Sequence, residues 1–244
     1  MQAKSSNNPA AELNAAKAAL ASTEIRWNSR LLMLFLNYVP AIHFFSIIAV
    51  LVMPLMDWPR RISIAFALLY LAPPLGARLV LRIIPISESR IAIGSKAFFG
   101  WWASFQLQVV FCRLPFLEEM LRLIPGLYSL WLRLWGSRVG RLTYWSAGTT
   151  VTDRSFLRIG NDVVFGAGVR LNAHVLTKGK DGKMELLLAP LKIGDRVLVG
   201  GYSLLTSGVE IASDQVTRAE LLLPPFSLWK DGKRIKEEQP DEIG

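Results

Sequence analysis

The chain has 244 residues, 52% of them apolar, with a net charge of +9 and a mean hydropathy of +0.33. That is room for one or two domains, and too apolar for a purely soluble one. A single cysteine, Cys112, excludes an internal disulfide framework and fits a reducing compartment.

The aromatic neighbours of Cys112 predict a buried structural thiol. The apolar excess lies mostly before residue 135, so the averages mix a membrane part with a soluble part. Arg26, Arg30, Arg60, Arg61, Arg78, Arg82, Arg90 and Lys96 flank the apolar segments. Basic flanks meet anionic headgroups, so membrane lipids rather than nucleic acid are the expected partners of the charge.

Residues 1–30 read as a polar N-terminal arm without the apolar core of a cleaved leader. Residues 31–96 read as a transmembrane helical hairpin. Its apolar runs, 31–56 and 62–84, each exceed the roughly 20 residues that a span needs. Asp57-Trp58-Pro59-Arg60-Arg61 forms the tip. Pro73-Pro74 in the second run leaves shallow or re-entrant insertion as a competing reading. Lys17, Arg26 and Arg30 before the hairpin, and Arg78, Arg82, Arg90 and Lys96 at its far end, outweigh Arg60 and Arg61 at the tip. That bias predicts both ends, and the domain that follows, in the cytoplasm.

Residues 97–135 are aromatic and amphipathic: Phe98, Phe99, Trp101, Trp102 and Phe105, then Leu127-Tyr128-Ser129-Leu130-Trp131-Leu132-Arg133-Leu134-Trp135. Such helices lie in the membrane interface or pack on the next domain, and different faces can do both.

From residue 136 the period changes to six. Val139, Trp145 and Val151 stand six apart, as do Ile159, Phe165 and Leu171, and Ile193, Val199, Leu205 and Ile211. Three hexapeptides make one turn of a three-faced prism with the aliphatic residue inward. Three coils are expected, over 139–156, 159–176 and 193–210. The phase slips by two residues near Leu157-Arg158 and breaks over 178–190. The prism is expected to fill residues 136–232, with 233–244 a polar tail.

Ile193-Gly194-Asp195-Arg196-Val197-Leu198-Val199-Gly200-Gly201, the later Gly208-Val209-Glu210-Ile211 and the closing Pro224-Pro225-Phe226-Ser227-Leu228-Trp229 resemble the hexapeptide-repeat acyltransferases. The family's terminal G-x-P-A is absent, and Asp231-Gly232-Lys233 stands there. Leu134-Trp135-Gly136-Ser137-Arg138-Val139-Gly140 after amphipathic helices resembles a membrane-associated branch that also ends some large peptide synthetases. The resemblance implies a mainly β fold, a short left-handed parallel β-helix preceded by membrane-associated α-helices. It also implies acyl-CoA, acetyl-CoA among its forms, as co-substrate, and a homotrimer with the donor between subunits.

His174 is the only histidine outside the apolar runs; the other is His43. Imidazole is the base suited to neutral pH. Its hexapeptide register puts it near the outer surface by a corner. In the resembling family, a histidine beside an extruded loop takes the acceptor's proton. Asn172, two residues away, shares a side with it in an extended segment, and is either a substrate contact or a cap on the coil stack. Asp153, Glu185 and Asp195 are the carboxylates available to orient His174. The loop Lys178-Gly179-Lys180-Asp181-Gly182-Lys183 either closes over a phosphate-bearing donor or is simply solvated. Gly200, Gly201 and Ser203 match positions where the family brings the pantetheine arm of coenzyme A against the backbone. A metal hydrolyase would need about three His ligands, which this chain lacks, so no metal is expected. No G-x-S-x-G, Walker or Rossmann element is present. The expected activity is acyl transfer to a hydroxyl or amine on a small-molecule or lipid-linked acceptor. The alternative is a non-catalytic docking module, or a fragment of a larger synthetase-type assembly.

Overall fold

A computed structural model of the chain describes residues 27–87 and 89–236. Most of the arm at 1–30, with Lys17 and Arg26, and most of the tail at 233–244 lie outside the described residues.

Helices α1 (Trp27–Asn37) and α2 (Val39–Val52) run on as one rod. After the tip, α3 (Trp58–Phe66), a single wide π turn (Ala67–Leu71) and α4 (Ala72–Ile83) form a second. Each rod is 26 residues, long and apolar enough to cross a membrane. The adjacent prolines do not break the second rod, for a physical reason. Pro73 and Pro74 lack N–H groups and free carbonyls one turn earlier. The π turn shifts the ladder, with Ala72 N donating to Ala67 O. The carbonyls left over find side-chain donors. His43 Nε2 bonds Leu68 O at 2.9 Å, and Trp131 Nε1 donates to Tyr70 O at 2.8 Å. Helix carbonyls freed by proline are tolerated when a neighbour re-satisfies them.

The segment after α4 departs from the expected hairpin boundary at 96. Its strand β1 (Arg90–Ala92) leaves the helices and joins a β-sheet further on. Four helices follow: α5 (Lys96–Gln106), α6 (Val109–Arg113), α7 (Phe116–Arg122) and α8 (Leu127–Leu134). Trp101, Tyr128, Trp131 and Trp135 turn inward and are buried, so the interfacial reading fails for these rings. The large apolar surfaces of Tyr128, Trp131 and Trp135 pack on Tyr70, Phe111 and the prism, and that of Trp101 on Ile91, Phe98, Leu186 and Leu188. The exposed large apolar residues of this layer are Phe116, Met120, Leu123, Ile124 and Leu130. Cys112 is exposed rather than buried, because Val110 and Phe111 take the inward positions of α6.

The prism then winds coil by coil. The first coil is β2 (Arg138–Val139), β3 (Tyr144–Trp145) and β4 (Thr150–Val151). The second is β5 (Leu157–Ile159), β6 (Val164–Phe165) and β7 (Arg170–Leu171). An extruded hairpin, β8 (His174–Lys178) and β9 (Met184–Leu188), interrupts it. The third coil is β10 (Leu191–Ile193), β11 (Leu198–Val199) and β12 (Leu204–Leu205). A fourth coil follows, which the three-coil expectation missed: β13 (Glu210–Ile211), a single bridge at Val216 to Leu198, and β14 (Leu222–Leu223). β15 (Ser227–Lys230) opens a further turn, and β16 (Lys233–Lys236) folds back antiparallel on it. Residues 233–236 are therefore strand, not tail. The antiparallel strand occupies the edge that another coil would otherwise need.

Coil-to-coil pairing is parallel and in register: Val139, Ile159, Ile193, Ile211 and Trp229 stack on the first face. Trp145, Phe165 and Val199 stack on the second, and Val151, Leu171, Leu205 and Leu223 on the third. All are buried in one core with the helices. Each such aliphatic side chain contributes roughly 1.5–3 kcal/mol on full burial.

The corners differ in one respect that positions the site. Between the third and first faces, the later coils turn through single left-handed residues, Gly208 (φ 70°) and Phe226 (φ 57°). The first two coils have insertions there instead: two extra residues within 152–156, ahead of the slip expected near Leu157-Arg158, which are strand, and the β8–β9 hairpin. The first insertion is anchored from below. Arg154 is 1% exposed, donates from its Nε to Glu118 Oε1 at 2.5 Å, and gives its backbone N–H to Gln108 Oε1 at 2.7 Å. Tyr128 and Arg122 complete the shell around Glu118.

Candidate active site

His174 is the first residue of β8, where the chain leaves the third face. The coil stops there, and the side chain lies by that corner. It is partly buried, roofed by α5. Trp101 and Phe105, four residues apart, share one face of that helix. Their ring centroids lie 4.9 and 5.4 Å from the imidazole. Ser95 starts the helix, its Oγ accepting from Phe98 N at 3.2 Å.

Beneath the imidazole lies Asp153, delivered by the first insertion. Its Oδ2 is 2.6 Å from His174 Nδ1. The carboxylate is 1% exposed and accepts further bonds from Trp101 Nε1 at 3.0 Å and Thr152 Oγ1 at 2.9 Å. Of the three carboxylates open to the sequence reading, the fold selects this one. Glu185 instead pairs with Arg90 of β1. Asp195 accepts from the Asn161 backbone and side chain at another corner.

Burial works against both charges of the pair, and the pairing wins. Burial raises the Asp153 carboxyl, but the His174 charge and the bonds from His174, Trp101 and Thr152 hold it below the ordinary carboxylate range. Burial lowers His174, but the Asp153 charge and hydrogen bond lift it above the usual 6.5. An ionised Asp153 can only accept, so Nδ1 carries the proton. Nε2 is left with its lone pair and no hydrogen-bond partner among the described residues. A neutral imidazole in this tautomer is arranged to accept a proton at Nε2.

Asn172 is half-buried on the same corner, its Oδ1 3.5 Å from Thr152 Oγ1, which also bonds Asp153. It thus belongs to the His174 cluster. Gly200, Gly201 and Ser203 do not. They sit where the second face turns into the third, across the third face from His174. Gly200 is buried against the fourth coil, where a Cβ would come within 2.3 Å of Arg218 C and O. Ser203 is fully buried, its Oγ donating to Gly200 O at 2.7 Å and accepting from Leu221 N at 3.1 Å. Gly201 is half-exposed, its nearest contact for a Cβ being Ala167 O at 3.1 Å. The lysine loop at 178–183 is the tip of the β8–β9 hairpin, whose other edge is β1.

Trp101, Phe105 and Thr152 escaped the sequence reading. The first two had a signal, an aromatic pair at helical i, i+4 spacing. Nothing in the sequence set Asp153 apart from Glu185 and Asp195, since the phase slip reads near Leu157-Arg158, past the insertion that carries Asp153.

No protein-family model matches the chain, and no curated protein matches it. Among solved structures it is similar to a hexapeptide-repeat acetyltransferase of Vibrio cholerae complexed with acetyl coenzyme A. That match has 23% identity over 37% of this chain and 53% of the other, with a TM-score of 0.30. It thus spans about half of that enzyme's length. A maltose O-acetyltransferase of Clostridium difficile matches at 18% identity over 52% of this chain and 85% of its own, with a TM-score of 0.33. Serine acetyltransferase isoform 3 of Entamoeba histolytica, in complex with cysteine, matches at 12% identity over 86% and 83%, with a TM-score of 0.34.

Proposed function

We propose that the chain is a membrane-anchored acyltransferase on a left-handed β-helix, with acyl-CoA as donor and acetyl the simplest acyl group. His174 is its general base. The observation that carries this reading is the 2.6 Å contact of His174 Nδ1 with buried Asp153, which leaves Nε2 free. In the proposed step, Nε2 removes the proton from an acceptor hydroxyl or amine. The oxygen or nitrogen attacks the thioester carbonyl, the C–S bond breaks, and the imidazolium returns its proton to the departing coenzyme A thiolate. Asp153 stabilises the imidazolium formed on the way. Asn172 contacts substrate beside the base, and the Gly201 backbone lies along the donor; Gly200 and Ser203 shape that strip from within.

Two features favour a lipid-linked acceptor. The cluster of Phe98, Trp101 and Leu188 beside His174 also packs on Met33 of the first apolar helix, so the base lies one layer from the membrane rod. And both apolar rods end at that layer. A homotrimer suits the second face, whose outward residues Tyr144, Val164, Leu198 and Val216 form an exposed apolar ladder.

The test uses full-length protein in liposomes, supplied with acetyl-CoA and a cellular lipid extract. Coenzyme A thiol release and acetylated products are followed together. The wild type is expected to transfer acetyl, and His174→Ala to lose about 10²–10⁴ in rate. Undiminished transfer by His174→Ala would remove the base. No transfer, and no binding of acetyl-CoA, would instead favour a docking module.

A further inference from the structure

The second apolar rod ends over a cavity of about 730 Å³, between α4, the prism and the end of β9. This is not the His174 cluster. Leu188, which lines the cavity, pairs with His174 across the β8–β9 hairpin, so one strand separates the two.

Three cations line the cavity: Arg78 and Arg82 from α4, and Arg158 from β5. No acidic residue lines it among the described residues. Neither Arg78 nor Arg82 has a carboxylate partner among them. Arg158 is worse placed still. It stands directly opposite Arg138 on the neighbouring strand, an arrangement that like charges disfavour. Burial, and then Arg138, hold its guanidinium below the usual value. Two buried groups with no hydrogen-bond partner, Ser155 Oγ and Trp135 Nε1, belong to residues of the same wall. The remaining wall is largely apolar. Leu75 and Leu79 line it and are also exposed, and Ile83 continues their stripe along the outside of α4 at four-residue spacing.

A cationic, donor-rich cavity with an apolar exit at the root of a membrane helix matches one ligand chemistry, a phosphate head on an apolar tail. We propose that this cavity binds the phosphate headgroup of a membrane lipid between Arg78, Arg82 and Arg158, with the lipid's chains laid along Leu75, Leu79 and Ile83 into the bilayer. The site rests on the membrane half of the proposed function and not on acyl transfer, and its test needs no turnover.

Full-length protein in an uncharged detergent is titrated with dioctanoyl phosphatidic acid and with dioctanoyl phosphatidylcholine, and retained lipid is counted by native mass spectrometry. One phosphatidic acid per chain is expected at concentrations where phosphatidylcholine is not retained. Arg82→Gln changes an exposed residue and leaves the core alone; it is expected to weaken retention at least fivefold. Arg82→Gln combined with Arg158→Gln is expected to weaken it more than twentyfold. Equal retention of both lipids, or no effect of either variant, overturns the proposal. So does displacement by inorganic phosphate, or by coenzyme A, at the concentration where the lipid binds; that result would assign the cavity to a soluble anion. Acetyl-CoA turnover on the same samples reports separately on His174.

Discussion

At the residue scale the proposed chemistry turns on which nitrogen of His174 holds a proton. Asp153 keeps its charge despite burial, so it fixes the proton on Nδ1 and lifts the imidazole's pKa. The His contribution to stability is full below about 6.5, the unfolded value, and is lost as pH rises through the raised folded value. The Asp contribution is full above about 3.9 and is lost as pH falls through the lowered one. The pair therefore stabilises most between those limits. With only two histidines in the chain, a ring-carbon NMR titration resolves His174 directly. It is expected to titrate above 6.5 in the wild type and to move down in Asp153→Asn, because an amide supplies no charge to offset burial. The acid limb of the rate profile should move down with it, while the maximal rate falls as Nδ1 loses its fixed partner. An unchanged titration in Asp153→Asn would show that the carboxylate does not tune the base.

At the scale of single elements, two adjacent glycines separate packing from substrate contact. A Cβ on Gly200 strikes the backbone of Arg218 in the next coil, which cannot yield without unstacking. Gly200→Ala is expected to cost about 1–3 kcal/mol, the usual range for overpacking, and to lower the thermal midpoint. Gly201→Ala meets one carbonyl oxygen at 3.1 Å and should leave the midpoint near wild type. If its backbone lies along the donor, that variant raises KM for acetyl-CoA with little change in kcat. Equal KM values in Gly201→Ala and wild type would move the donor elsewhere. The stacking that makes Gly200 sensitive also made the prism legible from sequence, because each inward aliphatic recurs at six. The fourth coil hid for a related reason. Its phase is intact from Ile211 to Leu223, but buried Thr217 stands at the inward position of its second face, where an aliphatic residue was the signal. The helices were less legible. Trp101, Trp131 and Trp135 suit a headgroup belt and a protein core equally by composition. Their burial decides for the core, with Trp131 bonded to Tyr70 O and Trp101 to Asp153.

At the scale of the whole molecule, the proposed membrane anchor has its depth in a bilayer limited by what each rod touches. The second rod is held by the other helices from Tyr70 onward, through Trp131 and through the Tyr70 hydroxyl bonded to Leu117 O at 3.0 Å. The stretch from Trp58 to Leu68 packs on the first rod instead, with His43 Nε2 bonded to Leu68 O, and extends about 16 Å beyond the Tyr70 anchor at 1.5 Å per residue. A hydrocarbon core is about 30 Å thick. The hairpin therefore crosses only if α7 and α8 themselves sink into the near leaflet. Exposed Phe116, Met120, Leu123, Ile124 and Leu130 suit that, since interfacial helices bury their apolar face by roughly 5–10 Å. The tip turn around Asp57 supplies the remainder, with Arg60 paired to Asp57 at 3.2 Å and Arg61 Nε bonded to Met56 O at 2.7 Å. A single-cysteine chain, Cys112→Ser with Arg60→Cys, tests this with a membrane-impermeant maleimide. Labelling is expected from the side opposite the prism. Adding Met120→Glu and Ile124→Glu should lift α7 out of the leaflet and abolish that labelling, while the protein stays in the membrane fraction. Labelling from neither side in the parent chain would mean that the hairpin ends within the bilayer and that the prism rides on one leaflet only.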